Sequence, residues 1–215
     1  MILLYSCKNQ IRLELFLLAK LRTWKEALPV HNLQTQRLAE AGVMIAISYL
    51  LSLLTLYQMP QGGALHPANL VPLFIFAFRW GGKQGFLTAL TYGLVHFLLG
   101  LKFTLHPASI VLDYLLGFGL LGLAGFVKPD SLGKVLLGGC IGSLGRLCST
   151  VISGAVVFAS YAPQGQNPWL YSLIYNLTYI VPETILNLVV LALFYSKLKE
   201  KLLEFRKDTP PHGER

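Results

Sequence analysis

Two acids stand inside apolar runs of this 215-residue chain. Asp113 lies about five residues into one such run, in Val111-Leu112-Asp113-Tyr114. A carboxylate at a bilayer centre costs about 2.5–3.5 kcal/mol on insertion scales, and less near an interface. Asp113 therefore either faces a cavity, where it serves a ligand, or sits hydrated at the outer interface. Glu183, in Tyr179-Ile180-Val181-Pro182-Glu183, is seven residues beyond Asn176 and so about two turns deeper on nearly the same helix face. It either lines a cavity floor or makes a helix–helix hydrogen bond near the Pro182 kink. Tyr171, Tyr175 and Tyr179 follow one another at i, i+4, with Asn176 between them. An aromatic belt accounts for Trp169 and Tyr171, but not for an amide inside a span. Tyrosine faces with one carboxylate suit a flat organic cation, by cation–π contact and charge pairing. His96 and His106 stand near Asp113 in sequence, but their spacing matches no metal-ligand motif. No HExxH, G-x-S-x-G or P-loop is present. No catalytic residue, metal or cofactor is therefore expected. An intramembrane enzyme using Asp113 with His96 or His106 is the more distant alternative.

These residues sit in elements that composition already constrains. The chain is 54% hydrophobic and 13% charged, against about 25% charged for soluble domains. This is the composition of an all-α, multi-pass membrane protein. Six spans are expected, near residues 38–57, 70–78, 84–99, 108–127, 135–161 and 169–195. The second is too short to cross a hydrocarbon core of roughly 30 Å as a straight helix. Residues 1–34 read as a cytoplasmic or interfacial arm, 35–198 as the six-helix transmembrane substrate-binding domain, and 199–215 as a cytoplasmic tail. Of the 18 Lys and Arg, 16 fall in the two terminal segments and in loops 2 and 4. The positive-inside bias then places both termini in the cytoplasm and loops 1, 3 and 5 outside. That bias explains the net charge of +8 without a nucleic-acid partner. Cys7, Cys140 and Cys148 form no CxxC pair, so neither a zinc site nor a disulfide framework is expected. Gly42 and Ala46 form a small-xxx-small pair on the first span, fit for close approach of a helix from the bundle or from a partner. The glycines of the fifth span read as packing within the bundle.

Blocks distributed along residues 38–195 carry a family resemblance. They include Pro60-Gln61-Gly62-Gly63, Arg79-Trp80-Gly81, His106-Pro107, Leu112-Asp113-Tyr114, Gly122-Leu123-Ala124-Gly125-Phe126, Tyr161-Ala162-Pro163-Gln164-Gly165 and Tyr171-Ser172-Leu173-Ile174-Tyr175-Asn176. In these the chain resembles the thiamine-specific substrate-binding (S) components of energy-coupling factor (ECF) transporters, the ThiT/YuaJ family. The resemblance implies a six-helix bundle in the cell membrane. It further implies an occluded thiamine site near the outer surface, under a lid that includes Gly62 and Gly63. Asp113 would supply charge or accept hydrogen bonds, Tyr114, Tyr171 and Phe158 would be walls, and Asn176 a polar anchor. Three site positions depart from the family: Thr150 stands where His is usual, Phe158 where Trp is usual, and Phe103 where Tyr is frequent. These departures leave room for a related heterocycle, such as hydroxymethylpyrimidine, as ligand. Gly42 and Ala46 resemble the face that docks onto a transmembrane coupling (T) protein. That protein and two cytoplasmic ATPases would be the partners, because the chain has no ATPase motif of its own.

Overall fold

The computed structural model describes residues 33–100 and 105–208, with side chains through 197 and at 199. The expected arm at residues 1–34 therefore lies almost wholly outside the described residues, as do Phe103, Lys102, Cys7 and the last seven residues of the tail. The chain divides into two units, Met1–Ala39 and Glu40–Arg215. Of the first, only the opening turns of a helix are described.

Among the described residues, six helices follow in order. They are α1 (Leu33–Ser52), α2 (Val71–Trp80), α3 (Gly82–Leu99), α4 (Pro107–Phe126), α5 (Leu132–Val156) and α6 (Pro168–Asp208). Between α1 and α2 a two-stranded antiparallel ribbon pairs β1 (Tyr57–Gln58) with β2 (Ala64–Leu65). The expected boundaries need correction at α1, α5 and α6, the last of which runs on to Asp208 rather than ending near residue 195. The first helix stops at Ser52 rather than Tyr57, which lengthens loop 1 and frees Tyr57 for the ribbon. The fifth stops at Val156, and Ala159–Tyr161 form a separate 3₁₀ turn. Apolar composition continues past both ends, so hydrophobicity alone could not mark them.

Length and composition suffice for a membrane crossing in three of these helices, Pro107–Phe126, Leu132–Val156 and Pro168–Lys197. Their outer faces are apolar and exposed, as at Leu144, Ile185 and Leu193. A continuous apolar exterior of this kind suits lipid rather than water. The short α2 has a different solution. Its Val71, Leu73, Phe74, Phe76 and Phe78 are buried in the bundle, so the helix does not need to span on its own. In the loop segment leading into it, His66, Asn69 and Leu70 are buried as well. Non-helical backbone at such depth is tolerated only inside protein, where its polar groups find partners. Here the Leu70 amide donates to Asn187 Oδ1 of α6 at 2.9 Å.

Glycines set the helix spacing. A Cβ on Gly122 of α4 would lie 2.1 Å from the Phe86 amide of α3. One on Gly93 of α3 would meet the Tyr114 carbonyl at 2.1 Å. Gly138 and Gly142 of α5 press in the same way on the Ala124 and Leu121 carbonyls. The expected role of the fifth span's glycines, packing within the bundle, is what these contacts are. The helix α4, squeezed from both sides, is not a regular α-helix. Ile110–Leu116 is π-helical and Leu120–Phe126 is 3₁₀. Ser149 of α5 donates to the Leu112 carbonyl in the widened turn at 2.6 Å. Such π segments often mark functional positions, and this one carries Asp113 and Tyr114.

Gly122→Val forces α3 and α4 apart against backbone, for which overpacking costs of about 1–3 kcal/mol or more are usual. We expect a clear drop in the detergent-solubilised melting temperature. Gly133→Ala, whose new Cβ meets nothing within 4 Å, should leave it unchanged.

Candidate functional site

A cavity of about 320 Å³ opens between the loop 1 ribbon and helices α3 to α6. Of the residues expected from sequence, Asp113, Tyr114, Thr150, Phe158, Tyr171, Asn176, Gly62 and Gly63 all line it. Phe103 lies outside the described residues. Gly42 and Ala46 do not line it. They are exposed on α1, and a Cβ on Gly42 would meet nothing within 4 Å. Of the two readings of that pair, packing inside this bundle is therefore excluded at Gly42.

Asp113 sits in a cradle. Ser109, one turn earlier on α4, donates to its Oδ2, and Ser153 of α5 donates to the same oxygen at 2.6 Å. Two hydroxyls on one oxygen hold the carboxylate by charge-assisted hydrogen bonds and leave Oδ1 uncommitted to them.

The outer end is closed by the ribbon. Gly62 adopts φ 100°, a conformation that favours glycine, in the turn where Met59 and Gly63 pair. Gly63 then rests flat on Tyr179, where a Cβ would lie 2.6 Å from the ring. Gln61 ties the tip to α6. Its backbone amide donates to Tyr175 Oη at 3.1 Å and its side-chain amide donates to Tyr171 Oη at 3.2 Å. The i, i+4 tyrosines are thus a wall and a fastening at once, with neighbouring rings 6.3 and 6.0 Å apart.

Other residues expected at the site have partners within the protein. Asn176 is buried, and its amide donates to the Ser172 carbonyl at 2.8 Å and the Thr150 carbonyl at 3.4 Å. Its Oδ1 accepts from Tyr179 Oη at 2.7 Å. Asn176 thus joins α6 to α5 as well as lining the cavity. The Thr150 hydroxyl is turned onto its own helix, donating to the Arg146 and Leu147 carbonyls. Phe158 belongs to the turn after α5, with its ring 5.9 Å from that of Tyr161. His106 caps the start of α4, accepting from the Ala108 amide. His96 is inside, its ring 6.2 Å from Tyr114 and 5.3 Å from Phe118. Among the described residues no three His, Cys, Asp or Glu side chains gather as metal ligands would.

Arg146, Gln61, His66, Ser109 and Ser153 were not singled out by sequence reasoning. Arg146 carried a signal, because an Arg within an apolar span calls for a partner. That partner is Glu183: Nη1 lies 2.6 Å from Oε2, both side chains at least nine-tenths buried. Arg146 also lies over the Phe118 ring at 4.8 Å. The two readings of Glu183, cavity floor and helix–helix bond, are both realised.

A helical membrane bundle enclosing an aromatic cavity with one cradled carboxylate is a receptor for a small molecule. The chain belongs to the thiamine transporter protein family (Thia_YuaJ), whose model matches residues 38–203. It is 39% identical over 176 residues to "Thiamine transporter ThiT" of Bacillus subtilis, covering 75% of this chain and 91% of that one. It is 29% identical over 137 residues to "Thiamine transporter ThiT" of Lacticaseibacillus paracasei, covering 57% and 68%. Among solved structures, ThiT from Listeria monocytogenes superposes with a TM-score of 0.68 at 22% identity, over 80% of this chain and 98% of that one. The protein is accordingly a membrane transport protein and not an enzyme.

Removing one partner of a buried ion pair typically costs about 3–5 kcal/mol, whereas replacing both with apolar groups is far milder. Arg146→Leu should therefore lower the melting temperature strongly. Arg146→Leu with Glu183→Leu should recover much of that loss, and a melting-curve cycle over the four proteins measures the difference.

Proposed function

We propose that this chain is the substrate-binding subunit of an ECF-type importer and captures thiamine from outside the cell. The family match carries this reading, since it runs through every helix that lines the cavity. The cavity chemistry supports it. A thiazolium cation pairs with the Asp113 carboxylate, whose cradle fixes one oxygen and leaves the other toward the ligand. Tyr114, Tyr171 and Phe158 supply aromatic faces, which attract a cation through their ring quadrupoles. Asn176, held between two helices, keeps that wall in register. Phe103 would close the remaining side.

The ribbon around Gly62 and Gly63 is the lid of this reading. Thiamine enters past it, and Gln61 fastens it to Tyr171 and Tyr175 once the ligand is in. The excess of Lys and Arg in both terminal segments and in loops 2 and 4 orients the lid outward, with both termini cytoplasmic. Uptake against a gradient needs an energy source. The partners of this reading are a transmembrane coupling protein, docked on the exposed Gly42 and Ala46 face, and two cytoplasmic ATPases. Residues 35–198 form the binding domain, and the segments at 1–34 and 199–215 flank it on the inner side.

Calorimetric titration of thiamine into the ligand-stripped protein tests the assignment. Nanomolar to sub-micromolar affinity is expected. Asp113→Asn should weaken it by at least ~2 kcal/mol, as truncation of a buried charged pair does. Hydroxymethylpyrimidine should compete poorly. No heat at high micromolar thiamine from a folded sample would refute thiamine as ligand. Gln61→Ala removes the side-chain tie to Tyr171 but no proposed ligand contact. At about 1 kcal/mol per hydrogen bond, thiamine should leave this variant roughly fivefold faster in stopped-flow release.

A further inference from the structure

The segment that carries the ribbon is free of charged residues. From Ala41 to Phe78 the chain has no Asp, Glu, Lys or Arg. The residues that bound this stretch are charged, and they meet: Arg79 Nε of α2 lies 3.3 Å from Glu40 Oε2 of α1. The stretch therefore leaves one level of the membrane and returns to it. Loop 2, which follows at once and carries Lys83, puts that level at the inner surface by the positive-inside bias.

Element lengths fix how far the segment rises. Helix α1 climbs from Glu40 to Ser52, about 18 Å at 1.5 Å per residue. Helix α2 comes back over Val71–Trp80, about 15 Å. The hydrocarbon core is roughly 30 Å thick. Both helices thus stop well short of its outer boundary, and α1 is not one of the three helices long and apolar enough to cross alone. Helix α6 gives the same depth from the other side. Gly63 rests on Tyr179, which lies about 15 Å inward of Trp169 at the outer end of that helix. The ribbon is therefore level with the outer half of the hydrocarbon, not in the water above it.

Its residues divide accordingly. Gln58, Gly62 and Gly63 line the cavity. The Leu56 amide donates to the Leu65 carbonyl at 2.9 Å and the Met59 amide to the Gly63 carbonyl at 2.6 Å, so these polar groups are met within the ribbon. Leu54, Leu56 and Tyr57 do not line the cavity and are 59, 62 and 61% exposed. Exposed leucines at this depth suit acyl chains, and a tyrosine suits the boundary between chains and headgroups.

We propose that the outer face of the ribbon, at Leu54 and Leu56, packs against acyl chains of the outer leaflet. Lipid is then the partner that covers loop 1, and the ribbon completes a crossing that α1 leaves unfinished. This interface depends on the membrane location of the chain and not on the identity of its ligand.

Spin labels at Leu54→Cys and Leu56→Cys, in a chain carrying Cys7→Ser, Cys140→Ser and Cys148→Ser, read this contact in lipid nanodiscs. Oxygen collects in hydrocarbon and a polar nickel chelate stays in water, so the ratio of relaxation by the two reports the surroundings of each label. Labels at Ile185→Cys, on the exposed apolar side of α6, and at Lys128→Cys, in loop 4, are the references. Both ribbon labels should give the Ile185 ratio, roughly tenfold or more above that of Lys128, because hydrocarbon excludes polar solutes. The Lys128 ratio at the ribbon labels would overturn the proposal. Dipolar broadening between labels, the sign of a second copy on this face, would overturn it too. Hydroxyl-radical footprinting of the unaltered chain in the same nanodiscs gives an answer without any variant having to fold. Leu54 and Leu56 should escape oxidation while the exposed His106 is modified, and oxidation of both leucines at a rate comparable to His106 would refute the lipid contact.

Discussion

The ion pair between Arg146 and Glu183 is the contact on which the lower half of this protein depends. It joins α5 to α6 with both side chains at least nine-tenths buried. Either residue alone would be an uncompensated charge in a low-dielectric interior. Together they are a neutral unit that fixes two helices in depth and rotation. The next turn of α6 continues the same logic, since Asn187 donates to the Glu183 carbonyl and accepts from the Leu70 amide. The pair thus orders the buried segment that leads from the lid into α2.

From that foot the site is assembled upward by helix contacts of a particular kind. Close glycine approaches bring α4 against α3 and α5 nearly backbone to backbone. The widened turn at Ile110–Leu116 is accommodated between them. Its displaced carbonyl at Leu112 is taken by Ser149, and its acid at Asp113 by Ser109 and Ser153. In a membrane interior such hydroxyls satisfy groups that water would otherwise serve. The serines of α5 therefore have a double use, as small surfaces for packing and as fixed donors for the site.

The lid follows a different principle. A short ribbon has little core of its own, and two strands are marginal in isolation. Here it is held by what it touches, two tyrosine hydroxyls and one tyrosine ring of α6. Those contacts are partly exposed, unlike the buried ion pair lower on the same helix.

Much was legible in the residues themselves. An acid and an amide in apolar runs, tyrosines at i, i+4 and charge on alternate connections pointed to a six-helix bundle with a cavity near Asp113. Composition decides solvent, and periodicity decides helix, because both act locally. Other features depended on tertiary structure. The ends of α1 and α5 fell inside apolar stretches, where no local signal marks them. Arg146 and Glu183 are 37 positions apart, and only folding makes them partners. Gln61 looked like one polar residue in a turn until Tyr171 and Tyr175 were brought to it across 110 and 114 positions. Asn176 was legible as an amide inside a span, but its partner on another helix, the Thr150 carbonyl, was not. Residue types specify what each side chain is able to do, but hydrogen bonds and ion pairs act over about 3 Å, and long-range distances of that order are set by packing alone.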